Sequence, residues 1–173
     1  MDGKKIMLAA ALLGLAMTTS GCGASRMTVI RPVPENAGPA AAIQVNQVET
    51  TVPTPQNLPG EIQFILMEQL RKSGAFDTVS SERGIIALNV TVVSFDAGSQ
   101  MERWFWGGLG NAGEGDLQLE TAFIDSESGQ ELGKIRSQGT ITSGAFGGSI
   151  DIAYKNAVKQ IVEYTVLKFG KRH

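Results

Sequence analysis

One cysteine and one histidine are all this 173-residue chain holds of two residue types that often bind metals or serve as catalysts. His173 is the final residue, and chain ends fray. A Ser-His-Asp triad, a Cys-His pair and a histidine-ligated metal each lack a necessary part. A lone cysteine forbids an intramolecular disulfide, so the fold must rest on its core, which about 130 residues can supply. Charge is sparse too: 15 Lys and Arg stand against 17 Asp and Glu. That balance lacks the basic excess that tracks nucleic acid, so no nucleic acid is expected as a partner. The apolar run Ile6–Met17 falls short of the about 20 residues that cross a bilayer.

What is present begins at that run. Lys4 and Lys5 precede it, and Thr18-Thr19-Ser20-Gly21 closes it with small residues just before Cys22. A basic start, a short apolar stretch and small residues at a cleavage point read as a secretory signal peptide over residues 1–21. With Cys22 at that point the pattern resembles a bacterial lipobox, whose cysteine takes a diacylglyceryl group and later palmitate. A free thiol or half of an intermolecular disulfide is the alternative for Cys22. Its position after Ser20-Gly21 favours lipid. Stable anchoring needs more than one acyl chain, which a bacterial lipoprotein carries. Gly23 stands where an aspartate would signal retention in the inner membrane, so the resemblance implies the periplasmic face of the outer membrane. Cleavage leaves a mature formal charge of −3, which argues against electrostatic adhesion to anionic lipid.

Residues 22–42 carry Pro32, Pro34 and Pro39 with few large apolar side chains. They read as a lipidated, flexible tether in which Met27–Ile30 has the composition of a short edge strand. A single domain is expected over 43–173. Ala42–Thr51 is β-branched and alternating, a first strand. Three prolines make Val52–Pro59 a connection. Ile62, Ile65, Leu66, Gln69 and Leu70 then form a helical stripe, with Arg71 and Lys72 at the C-terminal dipole and Gly74 as the stop. Strands follow at Ile85–Phe95, Asp116–Asp125 and Leu132–Thr142, the last two joined by a turn at Ser126–Gln130. A final helix from about Asp151 to Phe169, capped by Ser149, places Tyr154, Ala157, Val158, Ile161 and Thr165 on one face. The expected class is α+β, in the order β-α-β-β-β-α, with a mostly antiparallel sheet and two helices packed on one face.

The stretch Val92–Phe169 carries Arg103, then Gly108-Leu109-Gly110 and Gly113, the strand Leu117–Asp125, Ser128-Gly129 and the closing amphipathic helix. It resembles the bacterial lipoprotein family called domain of unknown function 4410, over roughly Ile43 to Phe169. That resemblance implies architecture and location but no biochemical activity.

Among possible sites, Gly108–Gly113 spells G-x-G-x-x-G, but Glu114-Gly115-Asp116 leads into an alternating strand where a dinucleotide site needs a helix. Ser143–Ser149 lacks the lysine of a phosphate-binding loop. No cofactor and no metal is expected. Asp125–Gly129 reads as a hairpin turn before a calcium loop. The carboxylates Asp96, Glu102, Glu114, Asp116, Glu120 and Asp125 would serve glycoside hydrolysis only if two stood about 5–10 Å apart. The candidate interface is Arg103, Trp104, Phe105, Trp106 and Leu109, because arginine and tryptophan bury large area while keeping a polar handle. The competing reading is that these rings only cover the core. No enzyme is expected. The chain reads as a non-catalytic binding or assembly module of the cell envelope, held to the membrane through Cys22. Its partner is an envelope protein or another copy; a self-assembling structural lipoprotein is the alternative, a carboxylate-dependent cell-wall hydrolase the less favoured one.

Overall fold

Alternation along three long strands builds the centre of the molecule. In the computed structural model, which describes residues 26–96, 115–141 and 150–171, these are β5 (Ile86–Asp96), β6 (Gly115–Asp125) and β7 (Glu131–Ile141). They form an antiparallel meander, with Leu88 opposite Phe123 and Thr121 opposite Ile135. Every second residue (Leu88, Val90 and Val92; Leu117, Leu119, Thr121 and Phe123) is buried, and the intervening side chains face solvent on the other side. That period of two is what a sheet covered on one face requires.

Two helices supply the cover. Helix α1 (Leu58–Lys72) buries Leu58, Ile62, Leu66 and Leu70, and α2 (Ile150–Phe169) buries Tyr154, Ala157, Val158, Ile161 and Thr165. The helices contact each other, α1 lying on the β2–β4 side and α2 over β6 and β7. Phe123 packs against the rings of Tyr164 and Phe169, with centroids 5.5 and 5.6 Å away. Phe76, just past α1, joins the same core. The β6–β7 turn closes as expected: Asp125 Oδ1 accepts from the Ser128 amide and hydroxyl, both at 2.7 Å, which lowers the Asp125 pKa.

The α+β class holds, and the element order is richer than β-α-β-β-β-α. The expected first strand divides into β2 (Ala42–Val45) and β3 (Glu49–Thr50), both parallel to β5. Residues 46–48 stand where β5 has only 89 and 90, so one extra residue interrupts the strand. Three residues after α1, Thr78–Ser80, form β4, parallel to β2. A strand this short carries no periodicity to read. The result is an open, mixed sheet of seven strands in the order β1-β7-β6-β5-β2-β4, with β3 on β5.

The edge strand expected at Met27–Ile30 forms as β1 (Arg26–Arg31), antiparallel to β7, and the largest departure is in the stretch after it, expected as tether, which packs through residue 40. Val33 and Ala40 are each 2% exposed. The Val33 amide donates to the Tyr164 hydroxyl (3.2 Å), and the Ala40 amide donates to the Phe169 carbonyl (2.8 Å). Pro32 and Pro34 hold the chain extended on either side of Val33 and have no N–H to satisfy. Opposite it, the absent side chain of Gly133 leaves the space Val33 occupies. Proline content was therefore a mark of a docked extended segment rather than of slack. The packed residues of the described domain thus include ones that precede the boundary expected at 43.

Candidate functional site

Cys22 and the candidate interface Arg103, Trp104, Phe105, Trp106 and Leu109 lie outside the described residues, as do the Gly108–Gly113 and Ser143–Ser149 segments. The strands that frame them are described. Asp96 ends β5 and pairs in register with Asp116, next to the start of β6 at Gly115, which pairs with Ile141 at the end of β7. Arg26 opens β1 opposite Gln138, three residues before Ile141. One end of the sheet therefore carries both ends of the 97–114 segment, the exit of β7 toward α2, and the arrival of the chain from Cys22. The element after Gly108–Gly113 is strand β6 and no helix, so the arrangement that places a helix N-terminus against phosphate is missing there.

The carboxylates fall into three settings. Asp96 and Asp116 are cross-strand partners, a proximity that sequence spacing did not supply, since strand register sets it. Asp116 accepts from the Gln118 amide (2.9 Å) and the Gln138 amide (2.8 Å), so both its oxygens are engaged. Glu120, in the middle of β6, pairs with Lys134 at 3.2 Å and with Arg136. The Arg136 guanidinium lowers its pKa below the ordinary 4.5, burial opposes that, and Lys134 adds to the lowering. Asp125 is spent on the hairpin turn. Glu102 and Glu114 lie outside the described residues. Among the described residues no three His, Cys, Asp or Glu side chains group to hold a metal ion, and no helix is long and apolar enough to cross a membrane.

Two clefts flank the interruption between β2 and β3, and neither contains Asp96 or Asp116. The larger, about 760 Å³, lies between β3 and the first half of α1. Gln47, Thr50, Gln63, Phe64 and Met67 line it, together with the bare backbone of Gly60. None of its lining side chains is ionisable, which leaves no acid or base for proton transfer. The smaller, about 380 Å³, holds Glu49 and Asn89. Sequence reading missed both clefts. Phe64, off the buried stripe of α1 and 68% exposed, was the one available hint of the larger.

Comparison with known proteins agrees with this architecture. The chain is similar in fold to the PelC dodecamer from Paraburkholderia phytofirmans: TM-score 0.56, 16% identity, covering 87% of this chain and 100% of that one. A Xanthomonas campestris protein of the DUF330 family is also similar, at TM-score 0.51 and 14% identity, covering 79% of this chain and 88% of that one. At such identities the likeness is one of fold. No curated protein matches the chain. The model of the family described as a domain of unknown function, DUF4410, matches residues 41–145, which takes in β2 through β7 and the whole of the 97–114 segment. The chain belongs to the DUF4410 family.

Proposed function

We propose that this protein is a lipoprotein held by acyl chains on Cys22 to the periplasmic face of the outer membrane, and that it works without catalysis as an assembly module of the envelope. One observation carries the reading. The sheet end from which the 97–114 segment departs and returns is also the end where the chain arrives from Cys22. The described strand ends that lead to the anchor and to the 97–114 segment thus share one end of the sheet, as suits a module that meets its partners at a membrane. The ionisable-free cleft and the amide-bound Asp116 favour binding over chemistry.

The partner is a further copy of the chain or a second envelope protein. The dodecameric state of the PelC relative in fold favours copies of the chain. The test is photo-crosslinking in cells from positions 104, 106 and 109, with mass spectrometry of what is captured. Capture of its own chain supports self-assembly, and capture of a distinct envelope protein supports the accessory role. A folded, lipidated protein that captures nothing from all three positions overturns the interface. In parallel, Cys22→Ser should abolish incorporation of labelled palmitate; normal incorporation would sink the anchor.

A further inference from the structure

A weakly acidic domain hides a segregated surface. Residues directly opposite one another on neighbouring strands share a face. On the face away from the helices, β1 and β7 therefore align Arg26 with Gln138, Thr28 with Arg136, and Arg31 with Lys134. The edge strand β1 and its neighbour β7 carry Arg26, Arg31, Lys134 and Arg136 against a single acid, Glu131, which pairs with Arg31 at 3.2 Å. Glu120 reaches across from β6 to Lys134 and Arg136. The mature chain is at −3, yet here four cations face three carboxylates, Glu131, Glu120 and the Asp116 that accepts from Gln138. Tertiary pairing concentrates positive charge where net charge predicts none.

Arg26 begins this edge close to the lipid attachment proposed above. Only Gly23, Ala24 and Ser25 separate Cys22 from Arg26. A chain extends at most about 3.3–3.6 Å per residue, so Arg26 lies within about 14 Å of a lipidated Cys22. All six residues of β1 are exposed, and three of them, Met27, Val29 and Ile30, are large and apolar. An uncovered edge strand of that composition is an association liability. Arginines with apolar neighbours suit the headgroup zone, where cations meet phosphate and aliphatic chains reach the acyl boundary.

We propose that the β1–β7 corner docks on anionic headgroups of the bilayer that holds the Cys22 lipid, through Arg26, Arg31, Lys134 and Arg136. The docking sets how the domain stands on the membrane, with the opposite edge, β4, directed away. The inference rests on the lipid attachment proposed above. Each Lys or Arg near an anionic surface contributes enough to change a docking ratio about fivefold.

The experiment uses the full, lipidated chain in vesicles of phosphatidylethanolamine and phosphatidylglycerol that carry a headgroup nitroxide. Lipid blocks Cys22, the chain's one cysteine, so Thr28→Cys on β1 or Thr78→Cys on β4 gives a single fluorophore site. The Thr28 label should be quenched several-fold more than the Thr78 label. In the Thr28-labelled protein, Arg26→Ala with Arg31→Ala should lower the docked-to-undocked ratio about twenty-five-fold, and replacing the anionic lipid by phosphatidylcholine should weaken quenching. Equal quenching at the two edges overturns the proposal. So does an unquenched Thr28 label in a protein whose unlabelled Thr28→Cys form is joined between copies by a bis-maleimide, which would assign the edge to a second chain. Mass spectrometry of Cys22 separates the two claims: no adduct removes the anchor and the docking together, whereas a lipidated protein with an unquenched β1 removes the docking alone.

Discussion

Two glycines to be replaced by alanine should move stability in opposite directions, because the structure surrounds them differently. A Cβ on Gly133 would lie 2.6 Å from Val33 Cγ2, 2.9 Å from the Val33 amide nitrogen and 3.0 Å from the Arg31 carbonyl oxygen. Two of those three atoms are backbone, so no rotamer change relieves the overlap. The segment through Val33 must move off β7, loosening the Val33–Tyr164 hydrogen bond and exposing part of a side chain that is now 2% exposed. Overpacking of this kind costs about 1–3 kcal/mol. For a chain of this length a cost near 2 kcal/mol lowers Tm by about 4–8 °C. At Gly60, in the first turn of α1, nothing stands within 4 Å of the new Cβ. Alanine there should gain up to about 1 kcal/mol of helix propensity, raising Tm by about 2–4 °C. Thermal melts followed by circular dichroism measure both, and amide exchange at Val33 locates the Gly133 effect. A Gly133→Ala protein that melts with wild type and keeps Val33 protected would refute the docking of residues 26–40 as a structural part of the domain.

Three further outcomes are expected. Tyr164→Phe keeps the ring against Phe123 but strands the buried Val33 amide, which should cost about 1–3 kcal/mol in a denaturant titration; an unchanged midpoint would mean the segment is not held there. The lowered pKa of Glu120 makes its contribution to stability fully present above the ordinary value of 4.5, and lost as pH falls through the lower folded-state value. The stability gap between wild type and Glu120→Gln should therefore be widest near neutral pH and close on acidification, and a gap independent of pH contradicts the ion pairs. On the non-catalytic reading, purified wild type, Asp96→Asn and Asp116→Asn should each release no muropeptides from peptidoglycan; release that either change abolishes would restore the hydrolase reading.

Periodicity determined much of this protein in advance. The stripe Ile62, Leu66, Leu70, the alternation of Leu117, Leu119, Thr121 and Phe123, and the face Tyr154, Ala157, Val158, Ile161 all bury where their spacing says they must. Local patterns suffice there because a helix or strand with one apolar side has one way to shelter it. The same local reading placed the Asp125–Gly129 turn and the stop of α1 at Gly74. Local pattern failed where the decisive neighbour is remote in sequence. Val33 meets Gly133 and Tyr164, so a proline-marked stretch that looks like slack is part of the domain. Strand β4 is three residues long, and only its partner β2 makes it a strand. Asp96 faces Asp116 through register, a choice made by the whole meander. The same logic governs charge. The sequence by itself determined the total, and through Cys22 the expectation of an anchor. Which charges stand together was decided by the tertiary structure, because pairing β1 with β7 gathers Arg26 and Arg31 beside Lys134 and Arg136, more than a hundred residues away along the chain.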